Sequence, residues 1–308
     1  MPPSLKVLLY GGRGWIGGLF AGCLRDAGHT VILADARADD AAAVAAELDA
    51  VAPDRAVCLV GRTHGPGCPT IDYLEAKGRL VDNLRDNLYA PLVLAQACAT
   101  RGIHMTYMGT GCIFTFDEAH PVPTPENPAP PGFTEGDAPN FFGSSYSVAK
   151  GYTDRLMHGL FGATALNVRI RMPISGEPNP RNFITKIASY ERICSIQNSM
   201  TVLDELLPIL VRAMEQKEVG TLNLTNPGTM EHNEVLALYK EIVDPAFEWR
   251  NFTYEEQAKV LAADRSNNRL DTARLEAMFP GVRPIREAVA AALRSYATAA
   301  AAVASAST

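Results

Sequence analysis

Apolar residues in the first half of the chain come in short unbroken runs, separated by stretches of helical periodicity. Residues 6–10 form such a run, which suits a strand buried on both faces of a parallel sheet. A helix-compatible stretch reaches Ala27, a second strand is predicted at 30–34, an Ala-rich helix at 39–52 and a third strand at 54–60. A loop rich in glycine and proline occupies 61–69, ahead of a long amphipathic helix at 82–99 and a strand at 103–108. Strands and helices alternating at this pace predict an α/β fold with a doubly wound parallel sheet, which takes ligands at the carboxyl ends of its strands. Beyond Arg171 the pattern changes to Pro/Asn loops and short amphipathic helices, as suits a smaller lobe over the sheet edge. A helix at 201–215 and a strand at 221–224 are expected to cross back to the larger domain. The Ala-rich tail predicts a helix followed by disorder.

Composition narrows the function. The chain has 308 residues, 47% apolar and 20% charged, in the range of a soluble globular enzyme. A net charge of −6 argues against nucleic acid or an anionic membrane as partner. No run approaches the ~18 apolar residues of a membrane span, and strand-like sequence by Val7 predicts no signal peptide. Cys23, Cys58, Cys68, Cys98, Cys112 and Cys194 are scattered without CxxC spacing, which reads as reduced thiols and a cytoplasmic location. The histidines lack metal-ligand spacing, so no metal is expected.

The first strand leads directly into Gly11-Gly12-Arg13-Gly14-Trp15-Ile16-Gly17-Gly18. Glycines there let the backbone turn tightly and approach a pyrophosphate seated on the helix N-terminus. With a strand before and a helix after, Gly11, Arg13, Gly14, Trp15, Ile16 and Gly17 are candidates for binding a dinucleotide, and residues 1–170 become a Rossmann-type dinucleotide-binding domain. Residues 171–290 are then the C-terminal substrate-binding lobe, with 201–225 packing back on the larger domain, and 291–308 the tail. Asp35 ends the second strand where an acid accepts the ribose hydroxyls of NAD. Arg13 and Arg37 pull the other way, toward a 2′-phosphate, although Arg37 also reads as a solvated loop charge. Asn87 reads either as a cofactor or backbone contact or as a surface cap.

Tyr-x-x-x-Lys places two side chains on one helical face, where the ammonium lowers the phenol toward a useful range. The chain holds two such pairs, Tyr73/Lys77 and Tyr146/Lys150. Tyr146 follows the helix caps Ser144 and Ser145, one element beyond Thr110, whereas Tyr73 lies after the third strand and reads as part of a surface helix. Thr110, Tyr146 and Lys150 are therefore the catalytic candidates, with Tyr146 as candidate proton donor. Arg265, Asn268, Arg181 and Asn182 are candidates for holding a nucleotide diphosphate, with surface salt bridging the alternative for Arg265.

The glycine spacing is the form seen in short-chain dehydrogenase/reductases. From Gly11 through Asp271 the chain resembles the plant nucleotide-rhamnose synthase/epimerase-reductases, of the extended group of that family. The resemblance rests on Gly14-Trp15-Ile16-Gly17-Gly18, Thr110-Gly111-Cys112-Ile113-Phe114, Arg169-Ile170-Arg171-Met172-Pro173, Asn182-Phe183-Ile184-Thr185-Lys186, Asn198-Ser199-Met200-Thr201 and Arg265-Ser266-Asn267-Asn268. It implies 3,5-epimerisation and 4-reduction of UDP-4-keto-6-deoxy-D-glucose to UDP-L-rhamnose, with NADPH as reductant and NADH as an accepted substitute. It also implies a homodimer and an upstream 4,6-dehydratase as a partner. In related GDP-fucose synthases a cysteine two residues after the catalytic hydroxyl shuttles protons, a position held here by Cys112, and Lys186 corresponds to their partner acid. The alternative, from its residue type alone, is that Cys112 packs as a small hydrophobe. Rival readings are a simple nucleotide-sugar 4-ketoreductase, a GDP-sugar epimerase-reductase and a catalytically silent subunit of the same fold.

Overall fold

A computed structural model describes residues 3–306. In chain order the first elements are β1 (Lys6–Tyr10), α1 (Trp15–Asp26), β2 (Thr30–Leu33), α2 (Ala41–Val51), β3 (Arg55–Cys58), α3 (Asp72–Glu75) and α4 (Leu80–Leu84). A π-helical turn, Arg85–Tyr89, joins α4 to α5 (Ala90–Thr100), and β4 (His104–Thr110), α6 (Ser145–Phe161) and β5 (Ala165–Ile170) follow. The remainder comprises β6 (Pro173–Ile174), α7 (Phe183–Ala188), β7 (Arg192–Ile193), β8 (Thr201–Val202), α8 (Leu203–Glu215), β9 (Gly220–Asn223), α9 (His232–Ile242) and β10 (Arg250–Asn251). It ends with α10 (Tyr254–Ala258), α11 (Ala273–Met278) and α12 (Ile285–Ala306).

The main sheet has the order β2-β1-β3-β4-β5-β9, and β2, β1, β3 and β4 pair in parallel. The chain winds outward from β1 to β2 and then crosses to β3 on the other side of β1. That reversal opens a crevice at the carboxyl ends of β1 and β3. The molecule divides into two units. One takes the described residues up to Ile113, Glu135–Arg169 and Leu207–Leu222; the other takes Phe114–Thr134, Ile170–Leu206 and the described residues from Asn223 on. The core of the first unit includes Leu8, Tyr10, Val44, Cys58, Leu94, Tyr107 and Met157. That of the second gathers Ile174, Ile184, Met200, Leu236, Val289 and Leu293, with two short parallel pairings, β7–β10 and β6–β8.

Three local features differ from the sequence reading. The helix expected at 82–99 runs from Leu80 to Thr100 but is interrupted at Arg85–Tyr89. There the Asn87 carbonyl accepts from Thr153 Oγ1 at 2.7 Å, a side-chain partner that opens the helical ladder locally. The Tyr73 segment is a helix of only four residues, Asp72–Glu75, so Tyr73 and Lys77 do not share a helical face. The Ala-rich tail, expected to be a helix followed by disorder, is helical through Ala306, and 307–308 lie outside the described residues. No helix among the described residues is long and apolar enough to cross a membrane, and none of their His, Cys, Asp and Glu side chains cluster as a metal site.

Candidate active site

The crevice between β1 and β3 begins at Gly11, whose φ of +80° lies in the region that favours glycine. A Cβ on Gly11 would stand 2.8 Å from the Leu59 backbone carbon, and one on Gly17 would strike the Gly11 carbonyl. The turn therefore accepts only glycine at both positions. Gly14 is the N-cap of α1 and supplies no side-chain cap; Trp15 and Ile16 begin the helix, and its first turn carries no acid. By contrast, α2 is capped by Asp40 accepting from Ala42 and Ala43. Amide groups at the start of α1, left without a side-chain partner at a backbone cradle that any Cβ would fill, fit the pyrophosphate of a dinucleotide. At the end of β2, Arg13 Nη2 pairs with Asp35 Oδ1 at 2.7 Å, with both side chains largely exposed. Arg37 pairs with Asp39 at 3.0 Å.

Around β4 the site is assembled by hydroxyl groups. Ser144 caps α6 by accepting from the Ser147 amide and donates to Ser147 Oγ at 2.9 Å. Ser147 Oγ donates in turn to the Cys112 carbonyl at 2.9 Å, which ties the start of α6 to the end of β4. Thr110 Oγ1 accepts from the Cys112 amide at 3.0 Å. Tyr146, one residue before Ser147, is 7% exposed and lies in an apolar cluster with Tyr73 and Leu74, against which Cys112 and Cys68 pack. One turn further along α6, Lys150 is 4% exposed and donates from Nζ to Tyr107 Oη at 2.8 Å. Burial pulls its ammonium down to about 8, while Cys58 and Asp86 push it up. Thr110, Cys112, Tyr146 and Lys150 thus share one neighbourhood of the first unit.

The placement of Tyr73 corrects the sequence reading. Instead of lying on a surface helix away from Thr110, it is 9% exposed and joins the Tyr146 cluster. Its ring covers Gly65, where a Cβ would collide with it. Behind it, Glu75 Oε1 accepts from both the amide and the hydroxyl of Ser145, each at 2.8 Å, so α3 is fastened to the first turn of α6. Asn87 is likewise no surface cap. It is fully buried, its Oδ1 accepts from the Arg62 amide at 3.0 Å, and its Nδ2 donates to the Arg62 carbonyl and to Asn83 Oδ1.

In the second unit Lys186 lies on α7, where burial and then the neighbouring Arg181 and Arg265 hold its ammonium below the usual lysine range. Burial lowers Arg181 too. Arg265 Nη1 donates to the Ala263 carbonyl at 2.7 Å. Asn182 and Asn268, expected at a nucleotide, are both fully buried and hold the protein itself together. Asn182 caps α7 through Ile184 and donates to the carbonyls of Ser175 and Glu177. Asn268 donates to the Phe114 carbonyl and Ser266 Oγ, both at 3.0 Å. The sequence reading passed over Tyr107, which sits 43 residues from Lys150, beyond the reach of any local spacing rule.

No protein-family model matches the chain. The crystal structure of the L780 UDP-rhamnose synthase of Acanthamoeba polyphaga mimivirus is 49% identical, with a TM-score of 0.90 over 95% of this chain and 100% of that one. The bifunctional dTDP-4-dehydrorhamnose 3,5-epimerase/dTDP-4-dehydrorhamnose reductase of Arabidopsis thaliana is 42% identical over 287 residues, 93% of this chain and 91% of its own length. A dTDP-4-dehydrorhamnose reductase of Bacillus anthracis, solved in complex with NADP, shares the fold at 15% identity and a TM-score of 0.73, over 93% of this chain and 98% of its own. With this extent of likeness, on a sheet and glycine turn of the kind described, the chain belongs to the rhamnose-forming nucleotide-sugar 3,5-epimerase/4-reductases of the extended short-chain dehydrogenase/reductase family.

Proposed function

We propose that this chain converts UDP-4-keto-6-deoxy-D-glucose to UDP-L-rhamnose with NADPH as reductant. The observation that carries the reading is the joining of Cys112 to both Thr110 and α6, beside Tyr146. A ketone at C4 acidifies the protons on C3 and C5, because the carbanion left behind delocalises into an enolate. Cys112, as thiolate, removes such a proton, and Lys186 is assigned the acid that returns one. Thr110 and Tyr146 hold the C4 oxygen, and Tyr146 donates the proton that turns it into a hydroxyl. Lys150 keeps a positive charge beside that phenol. When bound, the dinucleotide supplies the hydride that reduces C4. Gly11, Arg13, Gly14, Trp15, Ile16 and Gly17 would hold it, and Asp35 and Arg37 would face its adenosine end.

Arg13 and Arg37 favour the 2′-phosphate of NADPH, while Asp35 opposes it; the Arg13–Asp35 pair is exposed on both sides and cheaply exchanged, whereas Arg37 pairs with Asp39, which is largely covered and also meets Arg85. Arg181 and Arg265 beside Lys186 supply the positive charge a nucleotide diphosphate needs. The 4-keto-6-deoxy substrate has to come from a 4,6-dehydratase. The scattered cysteines, without CxxC spacing, support a cytoplasmic setting. Exposed apolar side chains along α4 and α6 support a homodimer. The test is to supply UDP-4-keto-6-deoxyglucose and NADPH and identify the sugar by NMR, with Tyr146→Phe in parallel. UDP-L-rhamnose is expected from the wild type, with reduction ~10²–10⁴-fold slower in the variant. A product reduced at C4 but unchanged at C3 and C5 would reduce the protein to a simple 4-ketoreductase.

A further inference from the structure

A lysine ammonium has three protons to place, and in a buried site each needs an acceptor, since the desolvated charge has no water to turn to. Lys150 Nζ reaches one in Tyr107 Oη at 2.8 Å, and it lies 5.1 Å from the centre of the same ring. The acceptor is held rigidly. Tyr107 is 1% exposed, on β4 in register with Cys58 of β3, which is in register with Tyr10 of β1. Leu94 and Cys98 of α5 and Met157 and Phe161 of α6 belong to the same core cluster. From the β3 side, Gly61 leaves room for the ammonium, because a Cβ there would stand 3.2 Å from Nζ.

The charged and titratable groups facing this pair come from every neighbouring element. Cys58 from β3 and Asp86 from the π-helical turn act on Lys150. Cys58, together with Tyr146 and Asp154 from α6, acts on Tyr107. Burial keeps the Tyr107 phenol protonated, well above the ordinary tyrosine range. It therefore works as a neutral acceptor and not as a base. Tyr146, which lies one helical turn before Lys150, is the group on which the lysine's charge would act.

We propose that Tyr107 is a positioning residue for the reduction, fixing the Lys150 ammonium in place and in its charged form so that it can serve Tyr146. The inference rests on the assignment of Tyr146 and Lys150 to carbonyl reduction. Proton abstraction at C3 and C5 by Cys112 needs no proton from Tyr146 and should depend on Tyr107 far less than reduction does.

The experiment compares wild type with Tyr107→Phe, which keeps the ring and removes only the acceptor. Two rates are measured across pH 6 to 10: kcat/KM for reduction of the 4-keto sugar, and deuterium exchange at its C3 and C5 without cofactor. In the wild type, reduction falls as pH rises through the Lys150 value of about 8, because the ammonium is lost above it. Removing a hydrogen bond made to the charged form lowers that value, so the limb moves down by about one pH unit in the variant. At pH 9 reduction is then about tenfold slower than in wild type, with exchange slowed far less. An unmoved limb in a folded variant overturns the proposal, and so does a parallel loss of exchange and reduction. If Tyr107→Phe does not fold, 3-fluorotyrosine in place of Tyr107 weakens the acceptor without changing the packing, and the same limb must move in the same direction or the proposal fails. A wild type that does not reduce the sugar would instead overturn the assignment beneath it.

Discussion

Cys112 shows how much one residue's chemistry depends on its immediate neighbours. Its amide orients Thr110 Oγ1, its carbonyl is held by Ser147, and its side chain packs against the Tyr73/Tyr146 cluster. Cys112→Ser leaves both backbone contacts in place and replaces a group that ionises near ~8.5 in water with one that hardly ionises. The variant is therefore expected to fold and to bind NADPH. Deuterium exchange at C3 and C5 should collapse while slow direct reduction of the unepimerised ketone persists. NMR of the keto sugar in D₂O checks this, and exchange at the wild-type rate would return Cys112 to the role of a packed hydrophobe.

At the scale of elements, the first turn of α6 carries the site, and two other segments hold it. Glu75 from α3 accepts from the Ser145 amide and hydroxyl, and Ser147 reaches back to β4. A carboxylate at a helix N-terminus satisfies an orphan amide and complements the helix dipole. Glu75→Ala should cost about 1 kcal/mol of stability, a fall in Tm of about 2–4 °C. Reduction should slow with it, because α3 also carries Tyr73 into the Tyr146 cluster. Thermal unfolding read beside NADPH oxidation tests both halves. A lowered Tm with full turnover would show that α3 holds the helix without affecting its catalytic end.

On the scale of the whole molecule, the first unit leaves large apolar side chains in water along two helical segments. Leu80 is 55% exposed and Val81 69% on α4, and Tyr152 is 58% and Leu160 68% on α6. Single exposed apolar residues are ordinary, but a set of this size on neighbouring elements is not. A second copy of the chain is the occupant we expect, and light scattering at micromolar concentration should give twice the 33.2 kDa chain mass. Leu160→Glu should shift the particle toward the monomer by burying a charge in that interface. A monomeric wild type would remove the homodimer from the proposed function.

What the sequence determined by itself is what local rules govern. The glycine turn after β1 follows from a backbone conformation and a close approach that side chains forbid. The alternation of strands and helices reports burial on the faces of a sheet, and the four-residue spacing of Tyr146 and Lys150 together with the Ser144 cap belongs to the geometry of one helix. Tertiary structure decided which distant groups meet. Lys150 finds its acceptor on a strand 43 residues away, and Asn268 is engaged by a carbonyl 154 residues away. Asn182 and Asn268 look like ligand contacts in the sequence because an amide that binds a phosphate and one that holds a buried turn are the same residue type. Burial separates the two roles, and burial is known only once the chain has closed its loops. The same holds for Tyr73: a motif copy with the spacing of its twin became part of the wall around Tyr146, because the loop carrying it folds back onto α6.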